Sequence, residues 1–313
     1  MKRVLQVLEP DAGKKGLNGK ILLSVHKNKR NVIDIKPYFA ELIQTIQTEA
    51  LKYSETLILS HFREEMDIQN YLAYIRTLRC DGMIVLATEL EEREISFYQQ
   101  LNLPVIILDN ALNLPDTDMI SFDGQNDFMN AMKYAYRKGY RKFGYLKSEV
   151  RTNNYEQHML GFYEQAHLLG IEKKDLMIIE MPASVNEAYL KMKKVLKDRK
   201  EAILQPCCFL ADQDYIAIGV MQAMKELGYR IPEDAAFIGY DDIQACEACV
   251  PGLTSLRINN TELGRLAVKR LIGKIENSNQ VALRVFVPAA LVERDSVGNL
   301  SEESNELPKK ISV

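Results

Sequence analysis

The sequence predicts an α/β protein built from two doubly wound parallel-sheet lobes. Short, continuously apolar runs alternate with segments of helical period, and the series begins afresh near residue 140. The 313 residues suffice for about two domains of ~150 residues each. Apolar strands separated by helical crossovers imply parallel sheets covered on both faces.

In the first series, residues 21–25, 56–59, 83–86 and 105–108 read as strands. Phe39, Leu42, Ile43, Ile46 and Ala50 fall on one face of a helix, and further helical stretches lie near 65–80 and 92–102. In the second series the strands are 142–146, 176–179, 207–210 and 236–238. Helices near 126–138, 155–169, 185–199 and 214–228 separate them. A short extended piece at 253–256 comes next, then a helix carrying Leu263, Leu266, Ala267 and Leu271, and a strand-like run over 281–292 broken by Pro288. The tail from Ser301 to Val313 is polar and reads as loose.

Hydrophobic residues make up 47% and charged residues 27%, the profile of a globular protein with a full core. A net charge of −3 leaves the body without the basic field that draws nucleic acid. No apolar run approaches the ~18 residues of a membrane span, and residues 1–10 carry no signal-peptide core. Five cysteines, with Cys207 and Cys208 adjacent, are not a disulfide framework, so the expected compartment is the cytoplasm. Cys246 and Cys249 have CxxC spacing but lack a second ligand pair; they read as structural thiols, and no metal or cofactor is expected.

Catalytic signatures are missing. There is no GxSxG, HExxH or GxGxxG, and no nucleophile–base pair, so no catalytic residue and no enzyme is expected. Residues 13–21 superficially resemble a phosphate-binding loop. Ile21 stands where a magnesium-binding hydroxyl belongs, and the segment precedes a strand instead of coming after one. The acids from Glu89 to Glu94 open a helix, where they suit its dipole, and read as a solvated face.

Ligands of parallel α/β sheets bind beyond the carboxyl ends of the strands. Three such ends carry polar residues: Asp109-Asn110, Ala211-Asp212-Gln213-Asp214, and Asp241-Asp242 after Ile238-Gly239-Tyr240. Carboxylates accept two hydroxyl hydrogen bonds, and with Tyr38 or Phe39 nearby they suit a small polyhydroxyl ligand. Asp123 and Asp214 also stand where helix caps or first-turn acids belong. Asp242 is expected to face solvent or to cap the segment after it.

Several stretches then appear in an order that resembles one family. They include Lys36-Pro37-Tyr38-Phe39-Ala40-Glu41-Leu42, Arg79-Cys80-Asp81-Gly82-Met83-Ile84 and Pro104-Val105-Ile106-Ile107-Leu108-Asp109. Gly139-Tyr140-Arg141-Lys142-Phe143-Gly144-Tyr145, Leu160-Gly161-Phe162 and Asp214-Tyr215-Ile216-Ala217-Ile218-Gly219 come after them. Ile231-Pro232-Glu233-Asp234, Ile238-Gly239-Tyr240-Asp241-Asp242 and Leu253-Thr254-Ser255-Leu256 complete the series. Together they resemble the effector-binding core of the lac/gal repressor (LacI–GalR) family of transcriptional regulators, from about Lys20 to Ser296.

The resemblance implies two lobes of periplasmic-binding-protein type I joined by three crossovers, a homodimer, and a small-molecule effector held between the lobes, sugar-like or a related polar metabolite. It places residues 20–121 plus 258–287 in the N-terminal lobe and 122–257 plus 288–300 in the C-terminal lobe. Residues 1–19 become a connector, and 301–313 the loose tail. The candidate ligand-binding residues are Tyr38, Phe39, Asp109, Asn154, His158, Gln213 and Asp241. His158 stands where an arginine is common and Gln213 where sugar binders often have asparagine; losing the arginine removes a rigid five-donor fork. DNA is expected to be reached only through a helix-turn-helix headpiece absent or reduced here, since 19 residues precede the first strand. A solute-binding protein of a transport system is the alternative that shares this architecture.

Overall fold

The computed structural model describes residues 18–28, 38–112, 116–198, 206–277 and 279–300. The chain forms two compact units, Met1–Ile120 with Asn260–Val285, and Ser121–Asn259 with Phe286–Val313. It therefore passes from one unit to the other three times, after residues 120, 259 and 285.

The first series is β1 (Lys20–Lys27), α1 (Tyr38–Leu51), β2 (Thr56–Arg63), α2 (Ile68–Leu78), β3 (Gly82–Leu86), α3 (Glu92–Gln99), β4 (Val105–Leu108) and β5 (Asp118–Phe122). The second is α4 (Gly124–Arg137), β6 (Lys142–Ser148), α5 (Asn153–Leu168), β7 (Leu176–Met181), α6 (Val185–Asp198), β8 (Cys207–Ala211), α7 (Asp214–Glu226) and β9 (Ala235–Asp241). The chain ends with α8 (Ala245–Ala248), β10 (Thr254–Arg257), α9 (Asn260–Glu276), β11 (Arg284–Val287) and β12 (Ala290–Val292).

One sheet has the order β11-β5-β4-β3-β1-β2 and the other β12-β10-β9-β8-β6-β7. From β1 to β5, and from β6 to β10, neighbouring strands run parallel; β12 closes its sheet antiparallel to β10. In each sheet the strand order reverses once, between β1 and β3 and between β6 and β8. Loops leaving such a switch point open away from each other and leave room for a ligand.

Burial explains the unbroken apolar runs. Every residue of β3, β5 and β8 is buried, because helices cover both faces. Edge strands β2 and β7 alternate instead, leaving Leu59 and Ile178 exposed. Local chemistry sets the helix starts. Asp67 accepts the Asn70 amide ahead of α2, Thr152 accepts the Tyr155 amide ahead of α5, and Glu91 with Glu94 forms a capping box at α3. Gly161 lets α5 lie against α4: a Cβ there would stand 2.1 Å from the Gln125 carbonyl oxygen.

The run over 281–292, expected to break at Pro288, forms β11 before the proline and β12 after it, in different sheets, and the third passage between units falls between β11 residues Val285 and Phe286. Strand β5 has no counterpart in the sequence reading, because Asp118 and Ser121 interrupt its pattern. Asp118 is buried, and Arg270 (2.5 Å) and Lys274 (3.2 Å) of α9 neutralise it. The phosphate-loop-like residues 13–17, the connector over 1–17 and the tail over 301–313 lie outside the described residues.

Candidate functional site

In the second unit, the residues after β8 sit at the switch point. Asp212 is fully buried and collects donors from every side. Its Oδ1 accepts the Tyr145 hydroxyl at 2.5 Å and faces His158 Nδ1 at 3.0 Å; its Oδ2 accepts the Ser148 amide at 2.7 Å and Arg151 at 2.6 Å. Arg151 also binds Glu156 at 2.9 Å and the Tyr155 carbonyl at 2.6 Å. Burial works against its charge, but Asp212 beside it outweighs that and raises its pKa. Burial, and then Asp212, push the Tyr145 hydroxyl far up as well.

His158 is buried in α5, stacked on Phe128 with ring centroids 4.3 Å apart and tilted against Tyr240 at 4.4 Å. Gly124 leaves room for this imidazole, since a Cβ there would meet His158 Cδ2 at 2.6 Å. Gln213 is the N-cap residue of α7 and 1% exposed. Its amide nitrogen donates to the Tyr155 hydroxyl, while its Oε1 receives no hydrogen bond from a described residue. Asn154 lies in the first turn of α5 with its Oδ1 buried.

The stretch Ile238-Gly239-Tyr240-Asp241-Asp242 is organised by Asp214. This fully buried carboxylate accepts the Ser255 hydroxyl at 2.6 Å and the Ile243 amide at 2.9 Å. Gly239 is required beside it, because a Cβ there would stand 1.9 Å from Asp214 Oδ1. Burial, and next the nearby charge of Asp241, raise the Asp214 pKa to about 7. Tyr240 donates to Asp127, whose other oxygen accepts the Ala289 amide; burial raises the Asp127 pKa to about 7 as well. Asp241 ends β9 with φ 104°, a conformation that side-chain-bearing residues rarely adopt.

Asp242 contradicts its expected exposure. Its side chain is 2% exposed and is held by Arg257 and Arg294, each at 2.7 Å. Nor does Asp214 cap its own helix: it stands in the first turn, but its oxygens are used by Ser255 and Ile243. Asp123 is the N-cap residue of α4, yet its carboxylate bonds the Asn126 side chain and not a backbone amide.

In the first unit, Asp109 is buried at the end of β4 with φ 59°, and Thr88 donates to it. Asn110 is spent on the backbone, donating to Ala87 and Leu90 and accepting from Leu112. Glu89 is 0% exposed and accepts the Asn28 amide, so the charge run from Glu89 to Glu94 is not simply a solvated face. Phe39 is buried in the first turn of α1, where Tyr38 is the first residue. Of the expected residues, the second unit thus brings His158, Gln213, Asn154 and Asp241 to one end of its sheet, and the first holds Asp109 at a strand end. Arg151 is the member that sequence reasoning did not single out; Asp212 and Asp214 were named there as strand-end acids, but not as the buried carboxylates that organise the group. Cys246 is buried and Cys249 half-buried, both free, and no group of three potential metal ligands occurs among the described residues.

Residues 132–297 match the family of periplasmic binding protein-like domains. The chain belongs to this family. Its fold is that of the effector-binding core of LacI-type regulators. It superposes on a CelR–cellobiose complex with a TM-score of 0.76 at 17% identity, covering 90% of this chain and 85% of that one. A LacI family regulator from Enterococcus faecium with bound ribose gives 0.73 at 22% identity, covering 90% and 100%. The lac repressor dimer bound to operator and an anti-inducer gives 0.75 at 18%, covering 88% and 94%. In sequence, the chain is 28% identical over 269 residues to the HTH-type transcriptional repressor PurR of Mannheimia succiniciproducens, covering 85% of this chain and 79% of that protein. The PurR of Proteus mirabilis is 28% identical over 266 residues, covering 84% and 77%.

The raised pKa of Asp214 gives this periplasmic-binding-protein-like chain a pH signature. An aspartate of the unfolded chain titrates near 3.9, so between about pH 4 and 7 the folded state holds the extra proton. The stability linked to that proton is fully present below about pH 4 and is lost as pH rises through about 7. Asp214→Asn, which cannot ionise, should lose less stability between pH 5 and 8 than the wild type. The difference should be at least about 1.4 kcal/mol, the equivalent of one pKa unit. Urea denaturation at several pH values measures it, and equal pH slopes would refute the assignment.

Proposed function

We propose that the chain is the effector-sensing part of a LacI-type transcriptional regulator, binding a small polar, sugar-like molecule and thereby controlling DNA binding. The observation that carries this reading is the concentration of buried polar side chains at the carboxyl end of the second unit's sheet, where the strand order reverses. Asp212 and Arg151 hold the floor of that group rigid, and Gln213 and Asp241 are its candidate ligand contacts. Asp109 is the corresponding candidate in the first unit. The family match and the repressors among the relatives support regulation over solute transport, the other use of this architecture. They support binding over catalysis in the same way.

DNA control is proposed to run through a helix-turn-helix headpiece of the kind named in the PurR relatives, in the cytoplasm. No helix among the described residues is long and apolar enough to cross a membrane. Pairing of two chains is part of the same proposal, since twofold dimers are the commonest soluble assembly. Sedimentation at micromolar concentration should find twice the 35.8 kDa chain mass; only single chains would exclude it.

The ligand reading is tested by a thermal-shift screen of sugars, sugar phosphates, polyols and nucleobases, because a ligand of the native state raises its melting temperature. At least one compound should respond. A charge-assisted hydrogen bond is worth roughly 1.5–3 kcal/mol, so Asp241→Ala should weaken that compound about 10- to 150-fold. The unliganded melting temperature should change little. Silence across the whole screen, or an Asp241→Ala variant that binds normally but melts far lower, would overturn the reading.

A further inference from the structure

Asp127 is a buried acid in the first turn of α4, and its two oxygens serve distant parts of the chain. Oδ1 accepts the Ala289 amide at 3.0 Å, and Oδ2 accepts the Tyr240 hydroxyl at 3.1 Å. One turn earlier on α4, the Asp123 amide donates to the Val287 carbonyl at 3.1 Å. Pro288 has no amide to contribute, so the chain leaving the third passage is tied to α4 on either side of it. Helix α4 itself starts just past the first passage, which falls after Ile120. Asp127 therefore joins three things: the start of α4, the segment after β11, and the end of β9.

Each element packed around Asp127 brings its own titratable groups. On α4, Asp123 is a like charge and spends its carboxylate on Asn126. Strand β9 presents the Tyr240 hydroxyl, and Asp241 beside it acts on Asp214 and Tyr215 of α7. From α5, His158 stacks on Phe128 and lies against Tyr240, with Nδ1 facing Asp212. Tyr145 of β6 meets the edge of Phe128 and donates to Asp212. Near the other end of α4, Lys138 is paired with Glu293. Among the described residues, no lysine or arginine forms an ion pair with Asp127. Burial therefore outweighs its two hydrogen bonds and raises its pKa to about 7.

We propose that Asp127 is a proton-controlled positioning residue, tying Tyr240 to the chain that leaves the third passage and loosening that tie as it ionises. The Ala289 amide needs an acceptor in either state, so a proton on Asp127 belongs on Oδ2, from which it donates to the Tyr240 oxygen. Once ionised, the carboxylate accepts from both partners but is a charge sealed from water, which is costly. Opening the tie hydrates it. A hydrated aspartate titrates near 3.9, so the proton's support for the closed tie is fully present below about pH 4 and is lost as pH rises through about 7. Asp127 acts through Tyr240, the residue before the candidate contact Asp241, and touches no ligand itself. The proton is the only ligand required, so the tie holds or fails independently of the regulator reading.

Hydrogen exchange of the full chain, read by mass spectrometry at several pH values and corrected for intrinsic rates, tests the tie without any added compound. In the wild type, opening of the segment 286–290 should increase at least about tenfold between pH 5 and 7 and level off above that. Asp127→Asn offers Oδ1 to Ala289 and an N–H to Tyr240, as the protonated acid does. Its profile should be flat, at the protection the wild type shows near pH 5. Asp127→Ala loses both bonds, and its 286–290 segment should open readily at every pH. Tyr240→Phe removes a bond that favours the ionised acid, so the midpoint of the 286–290 response should move to higher pH. Asp214→Asn should leave that response as it is in the wild type. A wild-type segment without the pH response, or an Asp127→Asn profile that matches the wild type, overturns the inference. Should Asp127→Asn fail to fold, an unmoved midpoint in Tyr240→Phe overturns it instead.

Discussion

A carboxylate sealed from water must be met by donors or the fold will not keep it, and Asp212 is met on both oxygens. Tyr145 and Ser148 reach it from β6, Arg151 from the loop after β6, and His158 from α5. One residue after β8 thus ties together the two strands that flank the switch point, the loop between β6 and α5, and α5 itself. Removing either Asp212 or Arg151 alone would strand the other's charge, the circumstance in which buried pairs cost about 3–5 kcal/mol. What the arrangement secures is position. The side chains around it, Tyr155, His158 and Gln213, stand on a support that cannot relax into solvent.

A second buried acid acts on the neighbouring strand. Asp214 pulls in the Ile243 amide and the Ser255 hydroxyl, and Gly239 yields the space its carboxylate occupies. The turn after β9 is therefore drawn tight, and Asp241 is held at a positive φ that a freer loop would abandon. Asp109 in the first unit shares this left-handed backbone, as does Asp242. Aspartate is among the few side-chain-bearing residues that accept it, which helps explain why acids and not larger polar residues stand at these strand ends.

Most of the architecture was legible from periodicity, since strands buried on both faces are spelled as apolar runs and amphipathic helices as spaced ones. Strand β5 was not, because Asp118 is made tolerable only by Arg270 and Lys274, more than a hundred residues away in sequence. The same distance effect explains the misread acids. Glu89 and Asp242 read locally as solvated charges, and only tertiary partners such as Asn28, Arg257 and Arg294 reverse that. His158, Gln213 and Asp241 could be nominated from the strand-end rule and the family resemblance. Arg151 could not, for nothing near it in sequence shows that Asp212 will fold back against it.

On the proposed function, the strand ends braced by Asp212 and Asp214 receive the ligand. Hydrogen exchange read by mass spectrometry, with and without the compound giving the largest thermal shift, addresses it most directly. Slowed exchange should concentrate in residues 148–158, 212–216 and 239–244 of the second unit, and β7 with α6 should change little. Protection spread evenly over both sheets, or confined to the edge strands β2 and β7, would mean that the ligand does not bind at these strand ends.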